Sequence, residues 1–480
     1  DVLNQEYEIL KTLTTNTYTI TAKDTDGNTV TANSDDINNG GSAVDGSYQI
    51  SIGLDVFVKG TGWGAGTWGA GTFGSVSPIS ASSQLRLWSQ DNFGDDLISC
   101  IRGGGIFLWD ESAGATQRAV AFSDLSGASN PPIIALQIMM SDVDKHIICF
   151  GANTIGGSTA DPLLVRWSDK ESSIDWTPTS TNQAGGVQLS QGSTIIGALR
   201  TRQEILIWTD VGIVSMRFVG EPFIFSFSEV AQGPSLIAPN AAVNANNRVY
   251  FMDRGGFYSY SGNAQRLACT VLDHIYSDIN LGQQFKIFGT SNENNNEVIW
   301  FYPSANSLEI DKYVIYNYLE NTWSIGTTSD GFTRTAWIEA PSLDFPLAAA
   351  KTTGTNTNYL YNQEVGHSND GEAFTAYIES SDFDLAPDGE RFTFISKLIP
   401  DIEFRDQQST SDSVTFTIKG RDYPLQDLST LQTINVTPAS TFENTRARTR
   451  QAAMRISNSS SDYGWRLGDL RLEIRPDGKR

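Results

Sequence analysis

Histidine and cysteine are almost absent from this chain of 480 residues, which has three of each. Cys100, Cys149 and Cys269 are far apart and odd in number, so they make neither a disulfide framework nor a zinc site. His146, His274 and His367 are equally scattered and have no nucleophile context; neither G-x-S-x-G nor H-E-x-x-H occurs. No segment approaches the roughly 20 consecutive apolar residues that a membrane helix needs. Positive charge is also scarce, at 33 Lys and Arg against 55 Asp and Glu, a formal charge of −22. Such a balance argues against non-specific binding of nucleic acid or anionic membrane by the chain as a whole. Helical periodicity is rare too, and "VLDHIYSDINLGQQF" (271–285) is the best candidate.

What is present is apolar and aromatic. With 39% hydrophobic and 11% aromatic residues the chain reads as globular, and its length predicts two or three domains. The charge is uneven. Residues 441–480 carry nine basic and five acidic side chains, a net of +4, which leaves −26 on the other 440. The chain opens at Asp1 with neither an initiator Met nor a leader, so an N-terminal part is expected to be missing or removed.

Nearly every local signal is β. "NTYTITAKDTDGNTVTA" (16–32) alternates around Asp26-Gly27 and predicts a hairpin. Residues 1–60 are read as a small N-terminal β unit. From Gly74 onward a unit recurs: an apolar strand, a short turn rich in Gly, Asp or Arg, and a second apolar strand. Its six copies fall at 95–110, 145–167, 203–218, 247–262, 296–318 and 345–361. A hairpin about every 50 residues, with further strands between copies, fits one four-stranded blade per repeat. The expected fold is therefore all-β, with a propeller-like core of about six blades over 61–369. A two-sheet sandwich with long loops is the alternative. Beyond residue 370 the strands lengthen, and 370–480 reads as a C-terminal β-sandwich.

Chemistry is hard to find. Paired carboxylates on a sugar would make an acidic propeller a glycosidase, but none of the 55 acids stands in a recognisable signature. "SDKESSIDWTP" (168–178) lacks the glycine and Ser-x-Asp order of a sialidase Asp-box, and a polar turn with a packed Trp176 explains it. "DTDGN" (24–28) has no distal Glu to complete a Ca²⁺ loop. The glycines of "RGGG" (102–105) and "RGGF" (254–257) suit hairpin turns better than phosphate loops. No catalytic, cofactor or metal residue is assigned. "TRARTR" (445–450) would place Arg446, Arg448 and Arg450 on one strand face, suited to an acidic surface of a neighbouring subunit or to nucleic acid; solvent is the bland alternative.

Several long stretches resemble one family. "TRQEILIWTD" (201–210), "PNAAVNANNRVYFMDRGGFYSYSG" (239–262), "SDINLGQQFKIFGTSNENNNEVIWFYPS" (277–304) and "EIDKYVIYNYLENTWSIGT" (309–327) are similar to the tail nozzle, or tail tubular protein B, of short-tailed podovirus-type bacteriophages. So are "DWTPTSTNQAGG" (175–186), "AYIESSDFDLAPDGERFTFISKLIPDIEFR" (376–405) and "WRLGDLRLEIRPDGKR" (465–480). The resemblance spans roughly 60–480, and the opening "LNQEYEIL" with "NTYTITA" is similar to that family's inserted β unit. It implies a homohexameric ring in the virion, below the tail adaptor protein and beside other tail components such as fibres. It also implies a conduit that retains double-stranded DNA and passes it at ejection without sequence-specific binding. No enzymatic activity and no cofactor belong to that picture. Two other classes remain open: a carbohydrate-binding propeller for host surface glycan, and a glycoside hydrolase.

"TGWGAGTWGAGTFG" (61–74) spaces Trp63, Trp68 and Phe73 five residues apart, which matches neither strand nor helix. A low-complexity turn and a stacked-indole sugar platform both fit. Its place between the first β unit and the repeats favours a structural junction, with the three aromatics expected to be buried.

Overall fold

The computed structural model describes residues 9–14, 17–24, 28–31, 85–328, 332–339, 342–352, 358–386, 389–406 and 409–478. The chain divides into two compact units, Asp1–Gly53 and Leu54–Arg480.

In the first unit, Ile9–Thr14 pairs antiparallel with Thr17–Ile20. The turn read from the sequence is closed by a bridge between Lys23 and Thr29, with the Asn28 N–H donating to Asp24 Oδ1 at 2.8 Å. The Val30 N–H donates to the Ala22 carbonyl at 2.9 Å, so the pairing of this hairpin runs back to Ala22, just past the end of Thr17–Ile20.

Among the described residues of the second unit are six antiparallel meanders, here blades I to VI. Blade I comprises Trp88–Phe93, Asp96–Ile101, Ile106–Trp109 and Val120–Ala121. Blade II is Gln137–Met140, Ile147–Phe150, Leu164–Trp167 and Gly185–Gln188; blade III is Ile195–Arg200, Ile205–Thr209, Gly212–Gly220 and Ile224–Gln232. Blade IV is Ala242–Ala245, Arg248–Asp253, Gly256–Tyr260 and Ala264–Arg266; blade V is Phe288–Asn292, Glu297–Tyr302, Lys312–Asn317 and Thr322–Thr327. Blade VI has three described strands, Phe332–Ile338, Leu347–Thr352 and Asn358–Asn362. Each of the six hairpins read from the sequence is the second and third strand of one blade.

The inner strands are apolar without alternation because neighbouring blades cover both of their faces. Period-two geometry then sends successive residues to opposite neighbours. In blade II, Ile147 and Cys149 pack with Ile98 and Cys100 of blade I, while Ile148 and Phe150 pack with Ile205 and Ile207 of blade III. In blade III the alternate residues Leu206 and Trp208 join Phe251 and Phe257 of blade IV and Trp300 of blade V. In blade V, Ile299 and Phe301 face the other way, toward Trp337 of blade VI. Sheets stacked face to face in chain order make a propeller-like core, as the repeat predicts.

Local chemistry fixes the turns. Asn246 and Asn247 both take positive φ (48° and 58°) between the paired residues Ala245 and Arg248, a two-residue turn whose twist suits a hairpin. Gly103 in "RGGG" likewise sits at φ 69°. The stretch 271–285 is helical only in pieces, with an α-turn at Leu272–Tyr276 and a 3₁₀ segment at Leu281–Lys286.

From Ala376 on, two sheets face each other. One orders Ala376–Glu379, Gln451–Asn458, Val414–Arg421 and Ser429–Val436, with Phe383–Asp384 beside the second; the other orders Glu443–Thr449, Thr393–Ile399 and Arg471–Pro476. Ile395 and Leu398 meet Val414, Phe416, Ile418, Met454 and Ile456 between them, so the C-terminal part is a sandwich. Ile402–Arg405 and Gly464–Leu467 form a small ribbon.

Candidate functional site

The first strand of each blade is an edge strand, so its free backbone groups need partners from outside its own sheet. Side chains of the preceding blade supply several. Ser89 Oγ accepts from the Ile138 N–H at 3.0 Å, and Asp91 Oδ2 from the Met140 N–H at 2.9 Å. Gln137 bonds blade III twice, accepting from the Ala198 N–H and donating to the Ala198 carbonyl, both at 2.7 Å. The first strands of blades I and II pack on one another, as do those of III to VI in turn. They therefore line the inner side of the blade series.

A cleft of about 400 Å³ opens among them, walled by Trp88, Gln90, Asp91, Gln137, Arg200 and Asn240. Arg200 crosses it: Nη1 lies 2.9 Å from Asp91 Oδ2 and 2.7 Å from the Met140 carbonyl, and Nε is 3.2 Å from Asp142. At the opposite end of the same strands, Arg102 reaches out of the blade I turn. Its Nη1 donates to the Leu136 carbonyl (3.4 Å) and its Nη2 to the Ile195 carbonyl (3.2 Å). The guanidinium also lies 5.6 Å from the centre of the Phe285 ring, just before blade V. Burial pushes it down to about 10, still cationic at neutral pH.

A second cleft, of about 240 Å³, lies between blades III and IV around Glu204. Tyr260 donates to its Oε1 at 2.7 Å, and Ser215 and the Arg217 Nε (2.9 Å) donate to Oε2. Burial raises this carboxyl, but those hydrogen bonds outweigh it and hold Glu204 below the usual range. Burial and then the Glu204 bond push the Tyr260 phenol well up. A phenol held so firmly protonated is the opposite of an activated nucleophile. Between blades V and VI, carboxylates gather: the Glu293 N–H donates to Glu339 (3.0 Å) and Asn295 to Glu364 (3.2 Å), while burial and then Glu364 push Glu297 up to about 7. Among the described residues, no group of three or more His, Cys, Asp or Glu side chains is placed to hold a metal ion.

Arg446 and Arg448 lie on the strand Glu443–Thr449, exposed between the buried residues Thr445, Ala447 and Thr449. Arg450 lies past the strand end. Arg448 pairs with Asp477 (Nε to Oδ2, 2.5 Å) and sits 3.9 Å over the Phe392 ring; Arg450 is 4.7 Å from that ring and 5.0 Å from Tyr423. The structure thus brings Arg448 and Arg450 together around Phe392 and leaves Arg446 apart. Trp63, Trp68 and Phe73 lie outside the described residues. In the stretch 168–178, Trp176 is fully buried and its Nε1 donates to the Ser173 carbonyl at 2.9 Å, the packed polar turn expected. His146 is buried with Nδ1 2.8 Å from the Ser168 carbonyl, and His367 meets Asp406 at 3.0 Å. Sequence reasoning did not single out Asp91, Arg102, Arg200 or Glu204. Arg102 came nearest, as the first residue of the "RGGG" turn.

No protein-family model matches the chain, and no curated protein does. Solved structures show distant likeness. The cobalt-substituted Synechocystis apocarotenoid oxygenase is 9% identical at a TM-score of 0.32, over 55% of this chain and 64% of the oxygenase. The chain thus spans less than two thirds of that protein's length. The exo-β-1,3-galactanase of Phanerochaete chrysosporium is 9% identical at 0.25, over 82% of this chain and 97% of that one. The sialidase of Trypanosoma rangeli is 11% identical at 0.31, over 82% and 83%. The fold assignment rests on this chain's own sheet order and blade packing.

Proposed function

We propose that the protein is a virion structural component, the nozzle at the distal end of a short phage tail. In this reading it forms a homohexameric ring joined to the tail adaptor protein and to further tail components such as fibres. The observation that carries the reading is where the resemblance falls. The stretches 201–210, 239–262, 277–304 and 309–327 supply most strands of blades III to V, so what is shared with the family is framework and not a catalytic loop.

Two features support it. The carboxylates of both clefts are already tied to Arg200 and Arg217, which suits a protein without hydrolase chemistry. The inner cleft is far too small for a duplex, and Arg102 spans the other end of its strands. The DNA conduit is therefore the space enclosed by several copies, and a charge of −22 per chain would let phosphates pass without trapping them.

Native mass measurement and negative-stain imaging of the purified protein test the proposal. A six-fold ring with a central channel is the expected result, and a stable monomer at micromolar concentration would overturn it.

A further inference from the structure

We infer that the cleft on the inner side of blades I to III binds a neutral sugar ring, with Trp88 as its stacking platform and Gln90 and Asn240 as hydrogen-bonding partners. The inference rests on this cleft alone and holds whether or not copies of the chain form a ring.

Along the first strand of blade I, Ser89 and Asp91 are spent on the backbone of blade II. Trp88 and Gln90 alternate with them and are exposed, Trp88 to 41%. Five tryptophans use their indole N–H internally, Trp109, Trp167, Trp176, Trp300 and Trp323 each donating Nε1 to a backbone carbonyl, while Nε1 of Trp208 and of Trp337 is unpartnered but enclosed, out of reach of a ligand. Among the described residues, Trp88 Nε1 and the side-chain amides of Gln90 and Asn240 have no such partner. Asn240 is exposed on the far wall of the cleft, where its carbonyl is held by the Gly289 N–H at 2.8 Å. The free backbone edge of the strand adds further donors and acceptors.

The chemistry of this lining selects its ligand. Asp91 and Arg200 neutralise one another at 2.9 Å, so the walls present little net charge and no site for a phosphate. Repulsion from a chain of charge −22 further disfavours nucleotides. The unengaged groups are one flat apolar surface with an N–H at its rim and two primary amides, each able to donate and accept. A pyranose is complementary to that set: an apolar C–H face and a rim of hydroxyls that need donors and acceptors in equal supply. The volume of about 400 Å³ is at the small end of ligand sites and accommodates one or two rings. Such an open platform predicts a Kd on the order of 1 mM for one ring.

The test is saturation-transfer NMR with parallel tryptophan fluorescence on the full chain, using glucose, galactose, N-acetylglucosamine, lactose and chitobiose as probes. Saturable binding of at least one sugar is expected, weakened about tenfold or more in Trp88→Ala. No saturation with any of the five at about 100 mM, or binding undiminished in Trp88→Ala, would overturn the inference. Should Trp88→Ala lose its thermal unfolding transition, the Gln90→Ala/Asn240→Ala pair decides by the same criterion.

Discussion

Arg200 Nη1 lies 2.9 Å from Asp91 Oδ2, although the two residues are 109 positions apart in the chain. The same carboxylate oxygen accepts from the Met140 N–H, and the same guanidinium nitrogen donates to the Met140 carbonyl, so three blades meet on one ion pair. Replacing Asp91 by Ala removes an acceptor from a backbone N–H and leaves Arg200 half-paired. Asp91→Ala is expected to cost about 2–3 kcal/mol in denaturant unfolding. In a double-mutant cycle with Arg200→Ala the two losses should fall short of additivity, because they share the pair.

Glu297 begins the second strand of blade V and is half-buried beside Glu364 and Tyr313; Glu364 in turn neighbours Glu339, which the Glu293 N–H holds, and Arg334 acts on Tyr313. Burial, then Glu364, raises its carboxyl from 4.5 to about 7. Burial, then Glu339, shifts Glu364 upward against a bond from Asn295. A raised carboxyl binds its proton more tightly when folded, so its contribution to stability is complete below pH 4.5 and is lost as pH rises through about 7. Melting temperatures of the parent should fall across that window. In Glu297→Gln the fall should be shallower, and an unchanged slope would count against this assignment.

Arg446 and Arg448 are neighbours on one strand face with different duties. Arg448→Ala loses the Asp477 pair and the Phe392 contact and should cost about 0.5–1.5 kcal/mol, a modest figure because both charges are partly solvated. Arg446→Ala should leave unfolding within about 0.5 kcal/mol of the parent, since an exposed guanidinium is removed. If the face meets an acidic neighbour in a ring, Arg446→Glu should weaken assembly and make it more salt-sensitive while melting unchanged. Sedimentation at two ionic strengths reads this directly.

At Gly197, blade III lies close against the segment leading into blade IV. A Cβ there would lie 2.7 Å from the Pro239 carbonyl oxygen and 3.3 Å from its Cα, both backbone atoms. Neither can rotate away, so Gly197→Ala should destabilise by about 1–3 kcal/mol. Gly255→Ala, with open space around its Cβ, is the control and should change stability little.

The blades were legible for a physical reason. "IICF", "ILIWT" and "EVIWFY" are covered on both faces, so their apolar runs stand out and locate the middle of each sheet. Outer strands such as "GGVQ" and "AQR" hold no buried residue and carry no apolar run that tells them from loops. The alternation of Arg446 and Arg448 could be read from the strand period, whereas the meeting of Arg448 and Arg450 on Phe392 depends on a residue more than fifty positions away. The inner cleft was hidden for the same reason: Trp88, Asp91, Gln137, Arg200 and Asn240 come from four blades or their approaches, and no two carry a shared motif.

Arg102 adds a constraint in time. It belongs to blade I, yet one of its acceptors, Ile195, follows 93 residues later, and Phe285 later still. At ordinary elongation rates that first interval is roughly 5–19 s, during which the guanidinium and the blade I turn must wait while blade II emerges. Blade I is therefore unfinished until blade III has left the ribosome. Nascent chains arrested before that point should be open to proteases at Arg102, and those arrested after it should be protected.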